Sequence, residues 1–466
     1  MQAITLKGVM FVLLLGGCVG VLFLPLHRCI QIFFLYIGVE GFAKLITNYN
    51  PIIHIGADIF IIVLWVKVGI ERIINRDIKQ IQMPPVTTLI FIHFGWFLVT
   101  IANPYSLSLV ASLAGMKIYV TIISLYFFGY MLSDDAEKIR GFLVPWVVIC
   151  FLQVATSLYQ AKVGPTSVTS ISDAYITVLE KYRGYAFRPP GLASQPGGPA
   201  IFVYLLVPTI VYFIFHVRSL LLSLLLILSL PACLATMLVC QIRSALLKAI
   251  LGASGYLTAS IFRTQQISAK ARILILTGIG IGGILIASFT PYILDTISEK
   301  GSTNEMAVKR TLTLFNLESI QRARSGALDR FLRYASKAPL GAGLSRSGSA
   351  AGKFSDLIKK DKSFSEEFFA DNLWVELVVD LGIPGAFIYT LILISICYYA
   401  VKGFRTQDPD LRPLHNTLFF TLFAILVGAY GAEPILYNPE GAFFWFFSGT
   451  LVRIYFMSKP TALPTR

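Results

Sequence analysis

Two groups of side chains in this sequence have the types and settings that could handle a charged substrate. Arg183 and Arg188 lie in "YRGYAFRPPGLASQPGGPA", residues 182–200, a Pro/Gly-rich interruption between two long apolar runs. Pro189 and Pro190 stop any helix and leave Arg188 extended. Gly197-Gly198 then turns into the next run, with Pro199 suited to its first helical turn. Such a loop is either a plain connector whose arginines meet lipid headgroups, or a shaped backbone that presents Arg188 to an anion. Arg243 opens the apolar run of "CQIRSALLKAILG", residues 240–252, either snorkelling at the interface or facing a phosphate. Lys248, five residues deeper, needs a partner or water, and Lys117 within 105–131 raises the same question.

A second group lies further on. "LESIQRARSGALDRFLRYASKAPLGAGLSR" reads as a helix from about 317 to 337, ended by Pro339 and Gly341. At helical spacing Arg322, Asp329 and Arg333 share a face, with Arg330 on its flank. A solvated charged face is the usual meaning of that pattern. Yet a loop as long as 293–373 is expected to be folded and functional or else disordered. Leu328, Phe331, Leu332 and Leu340 argue for folded. Glu366, Glu367, Asp371 and Asn372 precede a run starting near Trp374; Asp371 suits either a helix N-cap or a general base. The "GIPG" at 382–385 predicts a kink in that run.

These residues must be positioned by membrane-spanning helices. Of the 466 residues 56% are hydrophobic and only 14% charged, with mean hydropathy +0.72. Soluble domains carry about 25% charged residues, so this is the composition of a polytopic membrane protein. The net charge of +14 does not indicate nucleic acid, because the basic residues sit mostly in short loops between apolar runs. The six cysteines fall in or beside apolar runs without metal-ligand spacing and read as small apolar residues. Neither a phosphate-binding glycine loop with its lysine, nor HExxH, nor GxSxG is present. None of the five histidines lies in 161–198 or 293–373.

Candidate spans are 8–26, 28–46, 51–70, 86–101, 105–131, 141–160, 199–215, 219–239, 243–262, 272–292, 374–401, 414–432 and 439–457, roughly 12 to 14 helices. The first follows Lys7 without an evident cleavage site and reads as a retained helix. Basic residues at 67–79, 138–140, 218, 263–272 and 402–412 place those loops in the cytoplasm. The loops 161–198 and 293–373 then fall outside. The chain thus divides into N-terminal helices 1–160, a first outer loop 161–198, central helices 199–292, a large outer loop 293–373 and C-terminal helices 374–466. Three crossings before residue 67 put the N-terminus outside, unless 28–46 is re-entrant. Glu40 and Lys44, at i,i+4 spacing, predict a buried pair there. No internal repeat of the transporter kind is evident.

The order of these pieces resembles a family. "RPPG" before a helix, an "IRSALL" helix start, an arginine nine residues ahead of "PLGAGL", then "DN" leading into "ELVVDLGIPG", and finally "NPEGAFFWFFSGTLV" together resemble the O-antigen ligase and O-antigen polymerase superfamily of bacterial envelope glycosyltransferases. The resemblance covers roughly residues 183–457. It implies an all-α, multi-pass, GT-C-like protein of the bacterial inner membrane with one large folded periplasmic loop. Its substrates would be undecaprenyl-pyrophosphate-linked oligosaccharides, joined on the periplasmic face without metal or nucleotide. A chain-length regulator and a flippase would be its partners, with membrane lipids around it and no nucleic acid. Residue by residue, Arg188, Arg243 and Arg330 would hold the pyrophosphate, assisted by Arg183, Arg322, Arg333, Lys248 and Asn372. Asp371 would serve as base. Asp371-Asn372 stands where the ligases have His-Asn, which favours polymerase over ligase. A transporter or flippase of lipid-linked sugars is the alternative of another class.

Overall fold

The computed structural model describes residues 16–17, 20–50, 53, 55–75, 83–173, 175–176, 187–263, 326–348, 351, 354–360, 372–430, 432 and 434–458. Among them the regular elements are helices: α1 (Leu26–Ile46), α2 (Gly56–Asn75), α3 (Thr87–Ile101), α4 (Leu109–Ile123), α5 (Leu125–Leu132), α6 (Ala136–Val163), the single turn α7 (Thr166–Thr169), α8 (Gly198–His216), α9 (Leu220–Cys240), α10 (Arg243–Arg263), α11 (Gly326–Lys337), α12 (Ser355–Lys360), α13 (Leu373–Gly403), α14 (Leu411–Gly428) and α15 (Glu440–Met457). The protein is all-α and multi-pass.

Among the described residues, seven stretches are long and apolar enough to cross a membrane: Leu26–Ile46, Leu109–Leu132, Ala136–Val163, Pro199–His216, Leu220–Cys240, Leu373–Gly403 and Leu411–Gly428. This is fewer than the roughly 12 to 14 expected. The run 272–292 and most of 8–26 lie outside the described residues. The run 86–101 forms α3, which is apolar but short. The runs 51–70, 243–262 and 439–457 form α2, α10 and α15, whose charged residues, such as Lys67, Lys248 and Arg453, make them less apolar. Leu26–Ile46 is one continuous helix of crossing length.

The chain folds as two interleaved units, Met1–Asp77 with Glu137–Leu317, and Ile78–Ala136 with Glu318–Arg466. In the first unit α8 packs on α9 and α10, and α1 on α2. Polar groups on these greasy helices find partners, as a low-dielectric setting requires. Lys44 and Glu40 pair at 3.0 Å as their spacing predicts. Lys67 pairs with Glu71 at 2.9 Å and donates to the Leu22 carbonyl. Gln31 of α1 donates to the Gly141 carbonyl of α6.

In the second unit α5 and α15 approach so closely that their backbones nearly touch. A Cβ on Gly129 would lie 1.8 Å from the Phe446 carbonyl oxygen, and one on Gly449 2.0 Å from that of Tyr126. Small residues give membrane helices such contacts where apolar burial supplies no driving force. Ser133 and Thr450 add a buried hydroxyl–hydroxyl hydrogen bond of 2.9 Å.

The predicted kink is present. Pro384 has no N–H to donate and its ring displaces the carbonyl one turn back. Gly382 takes φ 70° and ψ −177°, interrupting α13. The groups freed there are recovered from outside the helix. Ala342 N–H donates to the Val379 carbonyl at 2.7 Å. The Trp96 indole donates to the Leu381 carbonyl at 2.8 Å, and Ile383 N–H to that of Pro339 at 2.9 Å.

Candidate functional site

In the first unit, residues 187–199 form a clamped loop at the start of α8. Gln160 of α6 grips Gly191 from both sides: its carbonyl accepts the Gly191 N–H at 2.7 Å, and its amide donates to the Gly191 carbonyl at 3.1 Å. Gln153, two turns earlier on α6, accepts the Leu192 N–H at 2.9 Å and donates to the Gly38 carbonyl of α1. Tyr49 donates its hydroxyl to the Ser194 carbonyl at 2.8 Å. Burial pushes the Tyr49 phenol up to about 12, so it remains a neutral donor at any physiological pH. Pro199 sits in the first turn of α8 as expected. Pro189, Pro190 and Gly191 are buried, and Arg188 beside them is half-buried with its Nε inside. A loop so fixed is a platform, since each backbone group that leaves water here has found a partner within the protein.

Removing one jaw tests the clamp. Gln160→Ala strands the N–H and carbonyl of Gly191 in a buried place, costing about 1–3 kcal/mol for each group. The expected result is a lower thermal unfolding midpoint in detergent and faster proteolysis of the 187–199 loop. Gln160→Glu keeps only the acceptor and is expected to fall between the two. An unchanged midpoint and cleavage rate in Gln160→Ala would show that the clamp does not hold the loop.

In the second unit, residues 339–348 form a strap that is buried from Gly341 to Ser347. Buried irregular backbone is uncommon, because its polar groups need partners. Asp380 on α13 supplies two of them and a partner for one strap hydroxyl. Its Oδ1 accepts the N–H of Arg346 at 3.2 Å, the N–H of Ser347 at 3.1 Å and the Ser347 hydroxyl at 2.9 Å. Its Oδ2 accepts the Tyr119 hydroxyl at 3.2 Å. Asn103 donates to the Gly341 carbonyl at 2.8 Å, and Ser345 to the Ala111 carbonyl at 2.7 Å. Arg346 is fully buried, its guanidinium donating through Nε and Nη2 to the Tyr105 carbonyl. One turn before Asp380, Glu376 is buried and accepts the Tyr437 hydroxyl at 2.9 Å.

The residues singled out in the sequence are distributed as follows. Arg183, Arg322 and Asp371 lie outside the described residues, as do the side chains of Arg243 and Arg330. Arg243 is the first residue of α10, and Arg330 falls within α11. Arg333 and Asp329 are exposed on α11. Of the apolar residues expected to fold this region, Leu332 and Leu340 are 57% and 61% exposed, Phe331 is half-buried and the side chain of Leu328 lies outside the described residues, while Tyr334 and Ala338 are buried. The helix therefore packs through the face one step round from its leucines. Lys248 is 5% exposed, its ammonium donating to the Tyr204 hydroxyl at 3.4 Å and lying 4.5 Å from that ring's centroid. That contact is a partner of the kind its depth demands. The cap of α13 is Asn372 and not Asp371. Its Oδ1 accepts the N–H groups of Trp374 and Val375, and its amide donates to the Tyr430 carbonyl. Both ends of Asn372 are thus committed to the protein.

Arg346, Glu376, Asp380, Gln153 and Gln160 were missed by sequence reasoning. For the two acids a signal existed: ionisable residues four apart inside the apolar run 374–401 are costly and mark a built polar site. No protein-family model matches the chain, and no curated protein matches it. Fold and composition define an all-α, multi-pass membrane protein whose irregular segments are locked by buried polar side chains.

Proposed function

We propose that this chain is a polysaccharide polymerase of the bacterial inner membrane. It transfers an undecaprenyl-pyrophosphate-linked glycan onto a lipid-linked repeat unit at the periplasmic face. The reading rests on the resemblance. The observation that carries it furthest is that three of the five stretches bearing the resemblance, 187–199, 339–348 and 372–385, are built as tightly bonded structures at helix ends and not as open connectors. Arg188, Arg243 and Arg330 hold the pyrophosphate in this reading, with Arg183, Arg322 and Arg333 forming a cationic approach for it. Lys248 and Asn372, engaged by protein partners, support the structure around them. Asp371 takes the proton of the acceptor hydroxyl as its oxygen attacks the anomeric carbon, with inversion. The bond to pyrophosphate breaks, and the arginines stabilise the charge it carries away.

A second reading, transport of lipid-linked sugars, is favoured by Glu376 and Asp380 inside α13, since intramembrane acids are a transporter's usual currency. Asp380, however, is held by four protein donors, which suits a fixed structural anion better than a cycling site.

The test is deletion followed by glycan analysis. Loss of polymer with accumulation of single-repeat product supports polymerase. Unattached full-length polymer supports ligase, and repeat units trapped on the cytoplasmic face support transport. Complementation with Asp371→Asn is expected to yield single-repeat product only; wild-type polymer from that variant removes Asp371 as base.

A further inference from the structure

Asp380 stands at the one place where three separate pieces of the second unit meet. It lies on α13 two residues before the Gly382 break, and accepts donors from the strap and from Tyr119 of α4. Two consecutive backbone N–H groups, those of Arg346 and Ser347, converge on one oxygen, the concave arrangement that holds anions elsewhere. Ser345 just before them takes φ 66°, which turns these N–H groups inward. All four bonds use the carboxylate as acceptor, the pattern of its ionised form. The strap so held is the direct continuation of α11, which ends at Lys337 and packs against α13. Ala338 N–H continues the helical bonding to the Tyr334 carbonyl, and two strap-to-α13 backbone bonds follow, at Pro339 and Ala342.

We propose that Asp380 is a positioning residue: it ties the strap 339–347 to α13 and thereby seats α11, the helix that carries Arg330 and Arg333. The assignment of those arginines to the substrate rests on the function proposed above; the seating of the helix does not. Asp380 itself touches no substrate in this account. Its carboxylate replaces, for a buried stretch of irregular chain, the hydrogen bonds that water gives to surface loops. The arrangement gives an acid deep in an apolar helix four hydrogen-bond donors, so that neither of its oxygens is left without a partner there.

The experiment reads the strap and the helix separately, in native membranes. Ser345→Cys and Ala338→Cys are made in otherwise wild-type chain; both positions are buried, and each is expected to react slowly with N-ethylmaleimide, measured by peptide mass spectrometry. Adding Asp380→Ala is expected to raise labelling at both positions by roughly tenfold or more, because three bonds to a charged acceptor are lost from the strap at once. Adding Asp380→Asn is expected to hold both within about threefold of the parent, since its carbonyl oxygen can still accept the three strap donors. Labelling of the buried Cys29 and Cys150 in the other unit reports wholesale unfolding. Should Asp380→Ala label there too, Ser347→Ala, which removes one donor, carries the test at the same two positions. Unchanged labelling at 345 overturns the tie. Labelling at 345 without 338 overturns the seating of α11. Asp380→Asn behaving like Asp380→Ala overturns positioning in favour of a role for the charge. Polymer yield is measured alongside: it is expected to fall roughly tenfold with Asp380→Ala and to recover with Asp380→Asn. If even the parent chain makes no polymer, the proposed function falls while the labelling still decides the role of Asp380.

Discussion

Arg188→Ala is expected to abolish long-chain polymer while leaving the protein folded in the membrane. The residue sits half-buried beside a segment whose backbone is gripped by Gln153, Gln160 and Tyr49. An arginine on so fixed a platform needs no reorganisation when charge develops on a departing pyrophosphate. Preorganised donors of this kind are worth on the order of 10²–10³ in rate. Arg188→Lys keeps the charge but loses the planar fork, and is expected to recover only part of the activity. The measurement is chain-length distribution of surface glycan, with membrane level and detergent melting of the variant as controls for folding. Full-length polymer from Arg188→Ala removes the residue from the mechanism, and would return the loop to the role of headgroup contact.

Gly382→Ala is the second large effect, and it acts on the fold. Gly382 adopts φ 70° and ψ −177°, a region open in practice only to glycine, at about 1–3 kcal/mol for another residue. A Cβ there would also lie 2.3 Å from the Leu340 carbonyl carbon and 2.4 Å from the Gly341 nitrogen. These are backbone atoms of the strap, tied on both sides, so they cannot swing aside as a side-chain tip would. Overpacking adds about 1–3 kcal/mol more. The sum takes a large share of the roughly 5–15 kcal/mol that holds a protein folded. Low membrane yield and a strongly depressed melting midpoint in detergent are expected. Gly69→Ala is the control: its Cβ would meet nothing within 4 Å in α2, and helix propensity alone makes it neutral or slightly stabilising. Equal melting of the two variants would show that the Gly382–Gly341 contact is not as tight as described.

What was legible in the sequence followed rules that act within a few residues. Pro199 at the start of α8, the Glu40–Lys44 pair and the break at "GIPG" all depend on local sterics or on one helical turn. The apolar runs located most helices because hydropathy sums over a whole element. What stayed hidden depends on partners distant in sequence. Arg346 sits in a stretch without periodicity, and its burial follows from Tyr105 and Asp380, which no spacing connects to it. Gln160 is an unremarkable residue near the end of α6 until Gly191 is laid against it. The choice between Asp371 and Asn372 as cap turns on a one-residue boundary, and either side chain suits the position chemically. On α11, burial falls on Tyr334 and Ala338 and not on Leu332, a choice of face set by what the rest of the unit lays against the helix and not by its own apolar content.

The glycine-to-backbone contact between α5 and α15 also governs how the protein is made. Residues 78–136 emerge early, yet the helix that covers Gly129 begins only at Glu440. At ribosomal speed the interval is roughly 15–60 s. Throughout it α5 waits in the bilayer with a bare groove, while the chain belonging to the other unit, Glu137–Leu317, is synthesised in between. A stop codon between Glu318 and Glu440 therefore yields a molecule in which one unit has all its residues and the other can never close, a species marked for membrane proteolysis by the uncovered face of α5 and not by its truncated end.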